Sequence, residues 1–189
     1  MTIKRLLVLL VTTTLLLAGT VTVTAILLYR TAEEVESAQD RRYSSYLLAE
    51  ELLRSSEMLT RFSRTYVVTG ESRYREYYDL ILEIRNGKIK RPDNYGPAYW
   101  TMVADSLLPS PARIPGGVSL DERMQDAGIT VKEFALLRDG QVRSDNLVNT
   151  EDQAMDLVSD LVAQGNPEWK THPAHIKALE LLHGRDYHR

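Results

Sequence analysis

The sequence predicts an all-α protein in which an N-terminal transmembrane helix is followed by an elongated antiparallel helical bundle. Three observations lead to this fold class. A long uncharged apolar run lies near the N-terminus, the apolar residues beyond it recur at spacings of three and four, and no alternating apolar run bounded by turns is found. The first feature predicts a membrane helix, the second predicts amphipathic helices, and the third argues against strands.

The membrane helix is predicted from Leu6 to Tyr29, which are 24 residues without a charged side chain. As a helix this segment rises about 36 Å, more than the roughly 30 Å hydrocarbon core of a bilayer. A cleaved signal peptide is the alternative, but its apolar core is shorter and ends in small residues. We therefore expect an uncleaved anchor in a bacterial inner membrane. Lys4 and Arg5 should keep residues 1–5 in the cytoplasm and send residues 30–189 to the periplasm.

The first exported helix is predicted over residues 31–69, which contain no proline or glycine, and Gly70 is suited to end it. Spacings of three and four predict one packed seam, made of Leu48, Leu52, Ser55, Leu59, Phe62 and Tyr66. Upstream, the corresponding positions carry Ser45, Arg41 and Ala38, so this part of the seam is expected to pack loosely.

Shorter helices follow. The segment "ESRYREYYDLILEIRNGK" predicts a helix that Asn86-Gly87 ends, and "AYWTMVADSLL" predicts a short one after the basic loop "KIKRPDNYGP". The segment "PSPARIPGG" is the clearest break in the chain. Ser119 with Glu122 fits a capping box that begins a short helix ending at Gly128.

A second long helix is predicted from Val131 to about Ala163, because Thr130 with Glu133 forms another capping box. Its seam repeats the spacing of the first, through Leu147, Glu151, Ala154, Val158 and Leu161. Polar or small residues interrupt both seams, at Ser55, Gly140, Ser144 and Glu151, and they suggest that neighbouring helix registers lie close in energy. The segment "AHIKALELLHGRDYHR" predicts a last helix.

Composition excludes several functional classes. The net charge of −3 gives no basic surface for nucleic acid, so no nucleic-acid partner is expected. The chain has no cysteine, which removes disulfides and thiolate chemistry. No glycine-rich phosphate loop, G-x-S-x-G elbow or H-E-x-x-H motif is present. We therefore expect neither an enzyme nor a cofactor.

Four segments stand out in order along the chain: "LLRSSEMLTRFSRTYVVTGESRYREYY", "ILEIRNGKIKRPDNYGPAYW", "DAGITVKEFALLRDGQVRSDNLVNTE" and "LLHGRDYHR". Together they resemble the periplasmic helical-bundle sensor region of bacterial transmembrane receptors. These are mostly methyl-accepting chemotaxis proteins, and also sensor histidine kinases and nucleotide cyclases. The resemblance covers about Tyr46 to Arg189.

The resemblance implies a helical sensor between two membrane helices, acting as a homodimer in which ligand binding shifts the helices slightly. In the family the last helix continues into a second membrane span, a HAMP linker and a cytoplasmic effector. Residues 1–189 contain none of these, so we expect a chain truncated before a second span, or a signalling part on another polypeptide. The expected function is ligand sensing in a chemotaxis receptor. The alternatives are an input domain of a histidine kinase or diguanylate cyclase, and a membrane-anchored structural or interaction protein.

Candidate ligand-binding residues lie first in the segment "RSSEMLTRFSRTY". Arg54, Arg61 and Arg64, with Tyr66, could hold a small anion, because the planar guanidinium suits carboxylate and phosphate. The alternative is a solvated helix face that carries the pairs Glu50–Arg54 and Glu57–Arg61 and ends at a glycine cap.

A second group of candidates is aromatic. Six of the ten tyrosines fall between Tyr66 and Tyr99, beside Trp100. Core packing alone explains such a cluster, but tyrosines also line small-ligand pockets. The candidates for a pocket are Tyr74, Tyr78, Trp100 and Asn149.

The four histidines, His172, His175, His183 and His188, are interpreted as solvated rather than as metal ligands. The gap in "HPAH" would suit zinc, but Pro173 precedes a helix start, no cysteine accompanies the histidines, and the spacing of His183 to His188 does not repeat on one helix face.

Overall fold

The computed structural model describes residues 3–165 and 167–184, and in these ranges the chain is helical without a strand. The helices are α1 (Ile3–Thr69), α2 (Ser72–Arg85), α3 (Tyr99–Ala104), α4 (Leu120–Asp126), α5 (Val131–Ala163) and α6 (Pro173–His183), with a short 3₁₀ helix at Trp169–Thr171. One isolated antiparallel bridge joins Ile89 to Pro115. The all-α prediction is confirmed.

The helix ends follow the predicted local chemistry. Gly70 ends α1 at a φ of 72°, and its N–H donates to the Tyr66 carbonyl at 2.7 Å. Both capping boxes are formed, so Ser119 begins α4 and Thr130 begins α5. The 3₁₀ helix was not predicted. It precedes α6, which begins at Pro173, where the missing N–H of proline costs no helical hydrogen bond.

The chain divides into two compact units, of which the first is Met1–Tyr43. None of its described side chains is buried, and those of residues 7–37 are all exposed. The hydroxyls of the six threonines between residues 12 and 24 donate to carbonyls one turn back, as Thr24 does to Thr20 at 2.8 Å. By length and composition this part of α1 could cross a membrane.

The second unit, Ser44–Arg189, contains the hydrophobic core. All six predicted seam positions of α1 are buried there, as are Glu151, Ala154, Val158 and Leu161 of the α5 seam. Residues of α2, α3 and α6 complete the main cluster. A smaller cluster joins α1 to α4 through Leu48, Leu52, Leu120 and Met124.

Two of the polar seam residues have specific partners on other helices. The Glu151 carboxylate, 1% exposed, accepts hydrogen bonds from the Thr60 hydroxyl of α1 at 2.9 Å and the Tyr78 hydroxyl of α2 at 3.0 Å. The Ser144 hydroxyl accepts from Arg85 of α2 at 2.9 Å. Such bonds favour one helix register, because a shifted register leaves buried polar atoms unpaired.

Candidate functional site

A cavity of about 250 Å³ lies between α1 and the segment that leads into α3. Six residues along one face of α1 form one side, at alternating spacings of three and one: Leu47, Glu50, Glu51, Arg54, Ser55 and Met58. The opposite side consists of Arg91, Tyr95, Gly96, Pro97, Trp100 and Arg123. Three separate stretches of the chain, namely α1, residues 91–100 and α4, therefore meet at this cavity.

The Glu51 carboxylate joins two arginines from distant segments. Its Oε2 lies 3.0 Å from Nη2 of Arg91, and its Oε1 accepts from Nη1 of Arg123 at 2.8 Å. The Glu51 side chain is only 14% exposed, whereas those of Arg91 and Arg123 are 39% and 27% exposed. A largely enclosed carboxylate thus holds the 91–97 segment and α4 against α1.

Arg54 lies at the edge of the cavity. Its guanidinium pairs with Glu50 at 3.4 Å and with Glu57 at 3.5 Å, and its side chain is 48% exposed. The predicted Glu50–Arg54 pair is confirmed. The predicted Glu57–Arg61 pair is absent from the ion pairs of the described residues, because Glu57 meets Arg54 at i−3 instead.

Aromatic side chains form one wall of the cavity. The Trp100 indole N–H donates to the Tyr95 hydroxyl at 2.8 Å, and the Arg91 guanidinium lies 5.1 Å from the centroid of the Tyr95 ring. Arg91 also donates to the Tyr95 carbonyl at 3.0 Å. Behind this wall, Trp100 meets Phe62 edge-on at 6.2 Å between ring centroids. The cavity therefore borders the main core.

Two glycines allow the segments around the cavity to approach each other. A Cβ at Gly117 would collide with the Ile89 carbonyl oxygen, and one at Gly87, where φ is 70°, would lie 2.6 Å from the Ser119 nitrogen. The Lys90 N–H donates to the Ile114 carbonyl at 2.7 Å beside this contact. This close approach places the residues before Arg91 next to the start of α4.

Burial and neighbouring charges shift the pKa values of Arg91 and Tyr95, which lie on the same side of the cavity. Burial lowers the pKa of Arg91, the Glu51 carboxylate opposes this change, and the Arg123 guanidinium adds to it. Burial also raises the pKa of Tyr95 to about 12, although the Trp100 hydrogen bond acts in the other direction. At Arg91 the effect of the Glu51 carboxylate on the pKa is larger than that of the Arg123 guanidinium.

Alkaline pH should destabilise the fold through Tyr95. The pKa of Tyr95 in the folded state is about 12, whereas its ordinary value is 10.0. Between these values the unfolded chain has released a proton that the folded chain retains. The contribution of Tyr95 to the unfolding free energy is therefore complete below pH 10 and declines as the pH approaches 12. Thermal melting of the full chain in detergent, followed by circular dichroism across this range, should show the decline. A Tyr95→Phe variant should decline less steeply, and an equal slope would contradict the assignment.

The structure brings two of the sequence-predicted ligand residues, Arg54 and Trp100, to this cavity. The other two arginines lie elsewhere. Arg64 donates to the Leu182 carbonyl near the end of α6 through Nε at 3.2 Å and Nη2 at 3.0 Å, and Arg61 is exposed. Asn149 is exposed on α5.

The predicted tyrosines are part of the core and its edge. The Tyr66 hydroxyl hydrogen-bonds to Ser159 at 2.8 Å, and the Tyr78 hydroxyl donates to Glu151. The half-buried Tyr74 ring lies 6.1 Å from that of Phe62 and carries the Arg73 guanidinium 4.7 Å from its centroid. Packing therefore accounts for these three positions.

Ten of the twelve cavity residues were not among the sequence-predicted sites, and they include Glu51, Arg91, Tyr95 and Arg123. Arg91 and Tyr95 belong to the basic loop "KIKRPDNYGP", whose charge and turn residues were the available signal. Arg123 lies on a seven-residue helix with no distinguishing pattern, so its role depends on tertiary contacts.

The histidines differ from their predicted solvated state at one position. His175 is 5% exposed, and its two ring nitrogens lie 2.7 Å from the Lys170 carbonyl and 3.0 Å from the Val67 carbonyl. His172 caps α6, His183 is exposed, and His188 lies outside the described residues. The described part of the chain contains no cluster of three or more potential metal ligands.

Comparisons with protein-family models, curated proteins and solved structures gave no match to this chain.

Proposed function

We propose that this chain is the extracytoplasmic ligand-sensing module of a bacterial transmembrane receptor of the methyl-accepting chemotaxis class. The observation that carries the proposal is that α1 lines the arginine-rich cavity and also contains the apolar segment. A ligand in the cavity would act directly on that helix. Its effect would equal its difference in affinity between two helix arrangements.

The proposal includes the arrangement around the membrane. Residues 6–29 anchor the chain in the inner membrane, residues 1–5 remain in the cytoplasm, and residues 30–189 form an antiparallel helical bundle in the periplasm. The partners are membrane lipid, a small ligand and a second copy of the chain in a homodimer. The uncharged, fully exposed stretch of α1 and the basic Lys4 and Arg5 before it support this orientation.

Cysteine labelling tests the orientation, since the chain has no cysteine of its own. A membrane-impermeant maleimide should label the Gln39→Cys variant in intact cells whose outer membrane is permeabilised. The Thr2→Cys variant should be labelled only after the inner membrane is broken. Labelling in the reverse order would overturn the periplasmic assignment.

Thermal-shift measurements on the full chain in detergent test ligand sensing. Amino acids, organic acids and inorganic anions form the panel, and a ligand at a hundred times its Kd should stabilise the fold by about 2.7 kcal/mol. No shift with any compound would favour the structural or interaction protein instead. A methyl-accepting domain in the coding frame after residue 189 would support the chemotaxis output, whereas a kinase or cyclase domain would replace it.

A further inference from the structure

We propose that the cavity beside Glu51 binds a small monocarboxylate with an apolar body, such as an arylalkanoate or a branched alkanoate. The inference rests on the proposed sensing function and specifies its ligand class. Three features of the cavity support it: arginines outnumber glutamates, both glutamates are already paired with arginines, and one wall is apolar.

The charge balance favours an anion. Three arginines and two glutamates line the cavity, so positive charge is in excess. A guanidinium has five N–H donors, yet Arg123 uses only Nη1, toward Glu51, in the described part of the chain. A ligand carboxylate would take the remaining donors of Arg123.

The carboxylates of the cavity disfavour an ammonium group in the ligand. Glu51 already takes donors from two arginines. Glu50 pairs with Arg54, and a hydrogen bond from Tyr46 and the Arg54 charge lower its pKa. The ammonium group of a zwitterionic amino acid would therefore compete with arginines for carboxylates that are already paired, whereas a simple carboxylate would not.

The wall and size of the cavity require an apolar body. Leu47, Met58, Pro97 and Trp100 contribute apolar surface, and the Trp100 side chain is almost fully buried. A bare inorganic anion would leave this surface in contact with water. The volume of about 250 Å³ is below the usual range of about 300–1,000 Å³ for ligand pockets, which suits a body of one ring or one branched chain.

A matched set of compounds tests the ligand class. The full chain in detergent is titrated with 3-phenylpropanoate, 3-phenylpropan-1-ol, L-phenylalanine and sulfate, and with 4-methylpentanoate as a second carboxylate. Binding is read by calorimetry and by the fluorescence of Trp100 in a Trp169→Phe background, since the chain has two tryptophans. The two carboxylates should bind at least about tenfold more tightly than the alcohol, the amino acid and sulfate.

Variants locate the site. Arg91→Gln and Arg123→Gln should each weaken 3-phenylpropanoate by about tenfold or more and leave the affinity of the alcohol unchanged. Arg143→Gln is the matched control, because Arg143 is 78% exposed and pairs with Asp139 on α5. If a glutamine variant has a lowered melting temperature, Arg123→Lys is measured instead. It should also weaken binding, since lysine lacks the planar guanidinium that binds a carboxylate through two N–H groups.

The outcomes separate the ligand class from the proposed function. Failure of both carboxylates to bind, or equal binding by the arginine variants, overturns the inference. If neither carboxylate binds but another compound stabilises the fold, the ligand class is wrong and the sensing function stands. If the carboxylates bind as expected but residues 30–189 are cytoplasmic, the site is supported and the receptor assignment fails.

Discussion

The Glu151→Ala variant should lose about 3 kcal/mol of unfolding free energy. Its carboxylate is 1% exposed and accepts from Thr60 of α1 and Tyr78 of α2. Alanine removes this acceptor and leaves the Tyr78 hydroxyl in the core without its closest partner. Urea denaturation of the full chain in mild detergent, followed by circular dichroism, measures the loss.

Two further variants separate the hydrogen bonds from the lost volume. Glu151→Gln keeps an acceptor for Thr60 and offers an N–H to the Tyr78 hydroxyl, so it should remain within about 1 kcal/mol of the parent. The Tyr78→Phe variant removes the same hydrogen bond by removing its donor. The losses of unfolding free energy in Tyr78→Phe and Glu151→Ala should therefore not be additive. The double variant should be about 1 kcal/mol more stable than the sum predicts. Strict additivity would show that this bond does not couple α2 to α5.

Phe62→Ala should cost about 4 kcal/mol of unfolding free energy. The Phe62 side chain is fully buried, with the Tyr77 and Trp100 rings at 5.5 Å and 6.2 Å between centroids. Alanine leaves a cavity among rigid rings that cannot close around it. The same denaturation experiment measures the effect, and the fluorescence of Trp100 in the Trp169→Phe background should report the change in its surroundings.

The matched control for Phe62 is Leu53→Ala, also on α1, where the side chain is 59% exposed. This variant should change the unfolding free energy by less than about 0.5 kcal/mol. Similar losses at both positions would mean that the buried seam of α1 is assigned to the wrong face of the helix.

For the polar residues of the two seams, the sequence pattern predicted burial but not the hydrogen-bond partners. Spacing alone placed Ser55, Gly140, Ser144 and Glu151 at core positions. The first, third and fourth are buried, whereas the glycine is exposed. The sequence suggested that such residues make neighbouring registers similar in energy. In the structure Ser144 and Glu151 are bonded to Arg85, Thr60 and Tyr78, which favours a single register. Their partners lie on other helices, so periodicity along one helix could not identify them.

In the candidate site, too, some residues were predictable from the sequence and others depend on tertiary contacts. Arg54 and Trp100 were candidates for a binding site by residue type, and both line the cavity. The cavity, however, depends on Glu51 meeting Arg123, 72 residues away, and on Arg91 reaching the same carboxylate. The glycines at 87 and 117 permit this meeting by leaving space where a Cβ would contact backbone atoms. No local pattern encodes a contact between segments so distant.

The sequence by itself determined the helices and most of their ends, because caps, glycine stops and the three-four repeat act within one or two turns of the chain. It also determined the apolar stretch that could cross a membrane, since charge-free length is a local property. Only the tertiary structure decided which arginines gather around Glu51 and which tyrosines become core. These outcomes depend on the packing of residues that are close in space and far apart in sequence.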